Sequence, residues 1–492
     1  PRDYVLIETP DDLGPALERA AAEVPAGEWI IGTLLRPYWH MKAPTRWEID
    51  KYAPHPPVLL NQTHTASVNS LGLELAGITR TSSDPAGGHV VRDDRGEPVG
   101  ILFESPARAL VNRLLPPLPP IDEEQQLTFL RQQLEYIARM GVTSVNVAGM
   151  RPDELGLLQT LYERSGGVLP RMTVQLRVFP HDEESLLAAI EEVKSLGFRT
   201  GFGDERLKIG ALKLGVDGGW AAPAFWSTVP YRQPYADSKE SDYRGVAIVP
   251  GNMLYRIAKT AHDLGWQLGF HAIGDSAIIE TVNVYERVLE ENPRSDHRHY
   301  VNHFGVLTPD SILDKIADLN ILVAQQPNFT YFNVDFMAAG LDGERLATNN
   351  PSESLIRRGI EVSYGSDALP LGPLLGIWAA VTRRGIDGKV YAAGEGVTVE
   401  EAIRAYTMGS AYLTFDEDRV GSIEVGKAAD FVVLSKDILA IDPEAIRDIA
   451  VKRTIIGGKE VFTGHYVEPY YDTYPPAHVP KRSARSGGLP QR

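Results

Sequence analysis

The sequence predicts an α/β fold with a parallel sheet. Strand-like and helix-like segments alternate from about residue 122 onward, which is the pattern of a parallel sheet. Seven strand-plus-helix units occur in that region, whereas a closed barrel needs eight. The length of 492 residues suits one barrel with additions or more than one domain. Periodicity leaves two architectures open: an open doubly wound sheet, and a barrel that lacks one strand.

The alternating region begins with a well-marked helix. Asp122 is placed to cap it, Gln125 stands at the capping-box position, and Gly141 ends it before the first strand. The apolar face of this helix consists of Leu127, Leu130, Leu134 and Ile137. The predicted strands that follow are 142–148, 172–179, 207–215, 267–271, 300–303, 321–326 and 361–367.

Two regions fall outside the alternation. Residues 1–120 hold many prolines and glycines, with short strand-like runs such as 58–61 and 99–103. Residues 421–463 alternate strands and turns, beginning with a strand over 421–425, and Gly457-Gly458 between two later strands is a hairpin signal. The last stretch is rich in Tyr and Pro and ends basic, so we expect an extended tail there.

The composition excludes several classes of function. A net charge of −16 argues against a nucleic-acid partner, because phosphate binding needs clustered Lys and Arg. No apolar run approaches the roughly 18 residues of a membrane span, so we expect no membrane partner. The absence of cysteine removes disulfides, thiolate metal sites and a cysteine nucleophile, and it fits a cytoplasmic location. The chain starts at Pro1, so targeting cannot be judged.

Four polar residues stand at the ends of predicted strands, where a barrel keeps its active site: Lys213, His271, His303 and Asp367. Two histidines, an aspartate and a lysine could converge on a metal ion. Each has a structural alternative, since a strand-end His often only forms hydrogen bonds, an Asp caps the next helix, and a Lys reaches solvent. Four such residues on different strands favour a functional site.

The sequence resembles the amidohydrolase superfamily, in the branch of N-substituted formamide deformylases (amidohydrolase family 3). The order and spacing of the similar segments cover the chain up to about residue 463. The similar segments are 29–32, 56–59, 68–70, 74–79, 96–100, Lys213 with Asp217-Gly218, His271-Ala272-Ile273-Gly274-Asp275, His303, Gln326-Pro327, Gly365-Ser366-Asp367 and 421–430.

The resemblance implies an architecture. It is a TIM (β/α)8 barrel with a small flanking β-sandwich and an insertion after the first barrel strand. On this basis residues 1–120 are the insertion between the first and second barrel strands, and 121–415 are the barrel units. Residues 416–463 form the C-terminal part of the β-sandwich, and 464–492 are an extended tail.

The resemblance also implies a metal site. His271 and His303 match two histidine ligands, and Asp367 matches an aspartate that binds metal and shuttles a proton. Lys213 matches the lysine that takes up CO₂ to become a carbamate bridging two metals. An ion pair with Asp217 is the structural alternative for Lys213. The expected cofactor is zinc, as one or two divalent ions.

The insertion is expected to face the substrate. His64 and Asn69 match polar residues on that side of the pocket in the family, and Glu104 stands where relatives have a glutamate. We therefore expect His64 and Asn69 to bind the substrate.

One family motif does not fit. The first barrel strand of the family ends in His-x-His, and none of the 12 histidines here matches it. His297-Arg298-His299 lies just before the strand of His303, so surface or supporting roles are expected for it. Either an N-terminal segment has been lost or half of the metal site is absent. The first is favoured, because missing strands would leave sheet edges unpaired.

The expected function is that of a metal-dependent hydrolase. Metal-activated water would cleave a non-peptide C–N bond in an amide, formamide or carbamate of a small molecule. A metal-dependent lyase, isomerase or esterase on the same fold, or an inactive homologue, are the alternatives. The expected partner is a small-molecule substrate, and a homodimer is left open.

Overall fold

A computed structural model describes residues 4–7, 9–25, 27–34, 43–117, 120–166, 169–220, 223–232, 242–367 and 371–468. Of the predicted tail over 464–492, the structure describes only the first five residues.

The first region forms a six-stranded sheet. Its strands are β1 (Tyr4–Ile7), β2 (Ile30–Leu34), β3 (Val58–Asn61), β4 (Thr65–Val68), β5 (His89–Arg92) and β6 (Pro98–Phe103). Its helices are α1 (Leu13–Glu23), α2 (Arg46–Asp50), α3 (Ser70–Ala76) and α4 (Glu104–Asn112). The spatial order is β1-β2-β3-β4-β6-β5, parallel from β1 to β3 and antiparallel after that. The predicted short strands at 58–61 and 99–103 are confirmed, and the placement of this region as an insertion in a barrel stays a prediction.

The second region contains all seven predicted strands. They are β7 (Ser144–Met150), β8 (Arg171–Arg177), β9 (Leu207–Lys213), β10 (Gly269–Ala272), β11 (Tyr300–His303), β12 (Leu322–Gln325) and β13 (Val362–Tyr364). They form parallel sheets of three and four strands, in chain order. Parallel bridges from Leu212 to Leu268 and from Gly215 to His271 join the two sheets.

This strand order separates the two architectures that periodicity left open. A doubly wound sheet reverses its order at a switch point, whereas a barrel runs in one direction. The order here follows the chain without a reversal, as in a barrel. In the described residues β13 does not pair with β7, so the sheet is not closed.

Helices pack against these strands. Asp122 caps the first of them, as predicted, by accepting a hydrogen bond from the N–H of Glu124 at 3.0 Å. The helices are α5 (Glu123–Arg139), α6 (Leu155–Arg164), α7 (Glu183–Ser195), α8 (Gly251–Asp263), α9 (Asp275–Glu291), α10 (Asp310–Asp318), α11 (Asn328–Phe332), α12 (Val334–Gly340), α13 (Gly343–Ala347), α14 (Ser352–Ile356), α15 (Pro373–Thr382), α16 (Val399–Arg404) and α17 (Ser410–Leu413). One large apolar core joins the strand and helix faces, and side chains such as Val174, Leu254 and Val301 are fully buried in it. Within the described ranges, none of the helices has the length and apolar character needed to cross a bilayer.

The last region is a three-stranded antiparallel sheet of β14 (Phe431–Leu434), β15 (Val451–Ile456) and β16 (Lys459–Tyr466). Gly457 and Gly458 connect β15 to β16 with φ of 56° and 74°, so the predicted hairpin is confirmed and needs glycine at both positions. The predicted strand over 421–425 does not form. The ion pair of Arg171 with Asp430, at 2.6 Å, ties this sheet to the start of β8.

Candidate active site

His271 and His303 meet at the carboxyl end of the parallel strands. His271 lies in β10 and His303 is the last residue of β11, and the register of these neighbouring strands places Ala272 opposite His303. Their rings are 4.4 Å apart between centroids at an interplanar angle of 74°. Both side chains are buried. The structure therefore brings together the two histidines that the sequence predicts as ligands.

In each of these imidazoles, one ring nitrogen lies near a hydrogen-bond acceptor and the other has no partner among the described residues. Nδ1 of His303 donates a hydrogen bond to Oε1 of Gln326 at 2.6 Å, so Nε2 carries the free lone pair. Nε2 of His271 lies 3.4 Å from the carbonyl oxygen of Gly218 and 3.4 Å from Oδ1 of Asp217. Both are acceptors, so Nε2 carries the proton and Nδ1 the lone pair. Burial holds the pKa of each histidine well below its usual value, with neighbouring positive charge adding to the effect.

This donor set fits a divalent metal ion. Neutral imidazole nitrogens bind zinc, and a ligating histidine typically donates its other N–H to a carboxylate, carbonyl or amide oxygen. Asp217 and Gln326 supply such acceptors here. Asp217 is itself held by backbone N–H groups of Trp226, Ile273 and Gly274 at 2.9–3.0 Å. Burial nevertheless raises its pKa to about 8.

Lys213 ends β9, the strand that precedes His271 in the parallel order. Its side chain is 4% exposed, and its ammonium pairs with no carboxylate among the described residues. Asp217 does not provide the ion pair that was the structural alternative, because it binds backbone N–H groups and faces His271. Burial lowers the pKa of Lys213 to about 8, and the charge of Arg177 adds to the effect while that of Asp367 opposes it.

Asp367 follows β13 at the same end of the sheet. Its side chain is exposed, unlike those of the two histidines. The negative charge of Asp367 favours the protonated forms of four nearby residues, which are Lys213, His303, Arg177 and His64. Over the residues that the structure describes, no group of three or more His, Asp or Glu side chains is arranged to hold a metal. Asp367 therefore lies at the edge of the histidine pair and does not complete a three-residue cluster.

The backbone is strained at this end of the sheet. Asp367, His303 and Glu104 have φ of 60°, 83° and 65°, in the left-handed region that residues other than glycine rarely adopt. Such conformations persist where the surrounding structure imposes them, and they cluster at functional sites. No sequence pattern indicates them.

His64 and Glu104 reach the site from the first sheet. His64 immediately precedes β4 and Glu104 immediately follows β6, and these strands are antiparallel neighbours, so the two residues are adjacent. Nδ1 of His64 lies 3.1 Å from both carboxylate oxygens of Glu104. Glu104, 5% exposed, also accepts the N–H of Gly219 at 3.0 Å.

Charges in this pair stabilise each other. Burial opposes protonation of His64, but the charge and hydrogen bond of Glu104 outweigh it and raise the pKa of His64. Burial alone would raise the pKa of Glu104, but His64 and the N–H of Gly219 lower it. The negative charge of Glu104 also favours the protonated form of His271, so His64 and Glu104 lie near His271 and His303.

Asn69 has a different role from the one expected. Its side chain is fully buried, and its oxygen accepts hydrogen bonds from the N–H groups of Val58 and Gly72, both at 2.9 Å. Its amide nitrogen donates to the carbonyl oxygens of Ala53 and Pro56, both at 3.0 Å. These four bonds satisfy the side chain and cap α3, so Asn69 holds the first region together and has no group left for a substrate.

The His-x-His at 297–299 lies at the opposite end of β11 from His303. Its histidines are buried rather than on the surface, which corrects part of the sequence interpretation. His299 accepts the N–H of Leu268 at 3.0 Å and contacts Nδ1 of His262 at 2.9 Å, while His297 contacts the carbonyl oxygen of Leu319 at 2.8 Å. The network is structural.

Sequence reasoning missed Arg177 and gave Glu104 little weight. Arg177 is the last residue of β8 and pairs in register with Lys213. The rule that found Lys213 applies to it equally, but the strand was predicted to run to residue 179, which hid Arg177 inside it. For Glu104 the signal was its position after β6, and only the contact with His64 shows its importance.

Comparisons with known proteins find relatives along almost the whole chain. The profile described as "Amidohydrolase family" matches residues 8–462. The amidohydrolase YtcJ of Bacillus subtilis is 30% identical over 475 residues, which are 94% of this chain and 84% of that protein. The N-substituted formamide deformylase of Arthrobacter pascens is 27% identical over 470 residues, 92% of this chain and 82% of that protein. The crystal structure of a metal-dependent hydrolase from Pyrococcus horikoshii OT3 shares the fold with a TM-score of 0.60 at 24% identity, over 90% of this chain and 83% of that one.

Proposed function

The chain belongs to the amidohydrolase family, and from that premise we propose that it hydrolyses a non-peptide C–N bond in an amide, formamide or carbamate of a small molecule, with a zinc-like divalent ion as cofactor. One observation carries the proposal: His271 and His303 are buried side by side, and each keeps one ring nitrogen free. A purely structural pair would use both nitrogens in hydrogen bonds, as His262 does.

Four residues would hold the ion or ions. They are His271 through Nδ1, His303 through Nε2, Lys213 as a carbamate, and Asp367. When bound, the metal supplies Lewis acidity, which lowers the pKa of water from about 16 to roughly 7 and polarises a carbonyl group. Lys213 would form the carbamate when its neutral amine attacks CO₂ and the new N–C bond forms with loss of one proton. This change replaces a buried cation with an anion, which suits a site for a dication.

Asp367 would move the proton. Its exposed carboxylate accepts a proton from the water that adds to the carbonyl carbon, and then delivers that proton to the nitrogen as the C–N bond breaks. An amine leaves poorly unless it is protonated, so this transfer decides the rate. An amide gives a carboxylic acid and an amine, whereas a carbamate gives an amine and a carbonic acid monoester, which decomposes to carbon dioxide and an alcohol.

His64 would bind the substrate. Glu104 occupies Nδ1, so Nε2 is the nitrogen left for an acceptor atom of the substrate. Because Glu104 keeps His64 protonated over a wider pH range, the imidazole can donate a hydrogen bond to the carbonyl oxygen. Glu104 acts through His64 and is a positioning residue.

The metal content of the purified protein tests whether His271 and His303 are metal ligands. Purified protein should contain divalent metal by elemental analysis, and His271→Asn and His303→Asn should each lose most of it. His465→Asn, at an exposed histidine in β16, is the matched control and should keep its metal. Equal metal content in all four proteins would contradict the assignment of the two histidines.

Amine release tests the reaction. The metal-loaded protein is assayed with an N-alkylformamide, an anilide and an alkyl carbamate, and with the ester analogue of each. We expect amine release that chelation abolishes and metal restores. Cleavage of esters alone, or no cleavage by metal-replete protein, would overturn the proposal.

A further inference from the structure

Arg177 forms no ion pair with a carboxylate among the described residues. It is the last residue of β8 and lies in register with Lys213, so two cations stand side by side at the carboxyl end of the sheet. Its Nε is buried and has no hydrogen-bond partner. Its guanidinium stacks on the ring of Phe179, 4.8 Å from the centroid.

Other shielded arginines of the chain have acceptors, which are carboxylates or, for Arg383, the backbone carbonyl oxygens of Asn349, Asn350 and Tyr391. Arg171 pairs with Asp430 at 2.6 Å and Arg298 pairs with Glu417 at 2.7 Å. A buried N–H donor without a partner is costly, so the buried Nε of Arg177 calls for an explanation. Glu104 and Asp367 act on Arg177 only through their charge and do not bond to it.

Neighbouring residues fix the position of this arginine. Gly149 has φ of 124°, and a Cβ there would stand 3.0 Å from Cδ of Arg177, so glycine lets the side chain lie against β7. Phe179 is 55% exposed and supplies one face of the guanidinium with an apolar wall. The flat fork of an arginine matches a carboxylate with two parallel hydrogen bonds.

We propose that Arg177 is a substrate-specificity residue that binds a carboxylate of the substrate, so that this chain acts on small amides or carbamates that themselves carry a carboxylate group. The hydrolysis of such substrates rests on the proposed function, whereas the binding of a carboxylate by Arg177 does not. A carbamate on Lys213 is the competing anion, and the experiment separates the two.

The experiment uses a matched pair of probes, N-formylglycine and its neutral amide N-formylglycinamide, with metal-loaded protein. Wild type should prefer the acid, both in kcat/KM and in the rise of the unfolding temperature on binding. Arg177→Met should lower the preference in kcat/KM by about 10- to 100-fold, the value of a hydrogen-bonded charge pair, with no loss of activity on the neutral amide beyond a few-fold. Arg177→Lys should recover part of it.

Arg151→Met is the control, because Arg151 is an exposed arginine just after β7 and loses the same charge. It should leave the preference unchanged. If neither probe is hydrolysed, the proposed reaction fails, and the shift in unfolding temperature still decides the inference. Equal shifts by acid and amide in wild type would overturn it. The inference would also be overturned if Arg177→Met kept the wild-type preference for the acid but lost its metal and the lysine carbamate, which is detected by ¹³C NMR.

Discussion

Both carboxylate oxygens of Glu104 lie 3.1 Å from Nδ1 of His64. The two residues are 40 positions apart in the chain and are joined by the antiparallel pairing of β4 with β6. Because Glu104 raises the pKa of His64, the pair makes a protonated donor available at the mouth of the site.

Replacing Glu104 with Gln should move the alkaline limb of the pH–rate profile. His64 loses the charge that favours its protonated form, so its pKa falls and activity is lost at a lower pH than in wild type. The profile of kcat/KM against pH measures the change. Asp84→Asn removes a similar partner from His89 in the same sheet and should not move the limb. Identical profiles for Glu104→Gln and wild type would contradict the role of the pair.

Gly219→Ala should displace His64 without affecting the metal ligands. A Cβ at Gly219 would overlap the imidazole ring of His64, so the ring must move away. Displacement of a substrate-binding group by about 1 Å costs roughly 10²-fold in rate. Gly156→Ala is the control, because a Cβ added at this helical glycine would meet no other atom, and its activity should stay close to that of wild type. A fully active Gly219→Ala enzyme would show that His64 does not contact the substrate.

Asp367→Asn should leave most of the metal bound and lower kcat by about 10²- to 10⁴-fold, the usual contribution of a proton shuttle. Asparagine keeps the shape and an oxygen but cannot accept the proton of water. Asp153→Asn, at an exposed aspartate after β7, should behave as wild type. Near-normal turnover of Asp367→Asn would refute the assigned role.

Lys213 should make reconstitution depend on bicarbonate. Metal-free protein supplied with zinc should gain more activity when bicarbonate is present, because the carbamate needs CO₂. Lys213→Ala should lose metal and be partly rescued by a small carboxylate such as acetate. If bicarbonate has no effect and Lys213→Ala keeps its metal, the lysine is structural.

The buried histidines at the other end of β11 should make the fold acid-sensitive. Burial holds the pKa of His299 well below its usual value, and His262 and His297 shift in the same direction. The unfolded chain therefore binds more protons than the folded one below about pH 6.5, so stability is present above that pH and is lost as the pH falls. A histidine contributes at most about 1.4 kcal/mol per pH unit, and only between the pKa of the unfolded chain and its own lowered pKa in the fold.

Unfolding midpoints of wild type and His299→Gln, measured from pH 7.5 to 5, test this effect. The variant is expected to start less stable but to lose less stability on acidification. His465→Gln, at an exposed position, should keep the wild-type slope. Parallel slopes for His299→Gln and wild type would mean that His299 does not control acid sensitivity.

Several strand-end residues could be predicted because they follow from local patterns. Lys213, His271 and His303 come at or near the ends of short buried strands, and all parallel strands present their carboxyl ends together. The same rule missed Arg177, since the predicted strand ran two residues too far. Asn69 was expected at the substrate pocket because it matches a polar residue of the family, whereas in the fold its side chain makes four hydrogen bonds with backbone groups.

The sequence by itself determined the alternation of strands and helices, the seven strand positions and the hairpin at Gly457-Gly458, since side-chain periodicity and glycine conformation are local properties. Only the tertiary structure decided that the strands follow one another in barrel order, that His64 meets Glu104, and that Arg177 stands unpaired beside Lys213. These relationships depend on which strands pair and in what register. A hydrogen bond between distant segments does not change the hydrophobic periodicity of either segment, so a sequence pattern does not predict it.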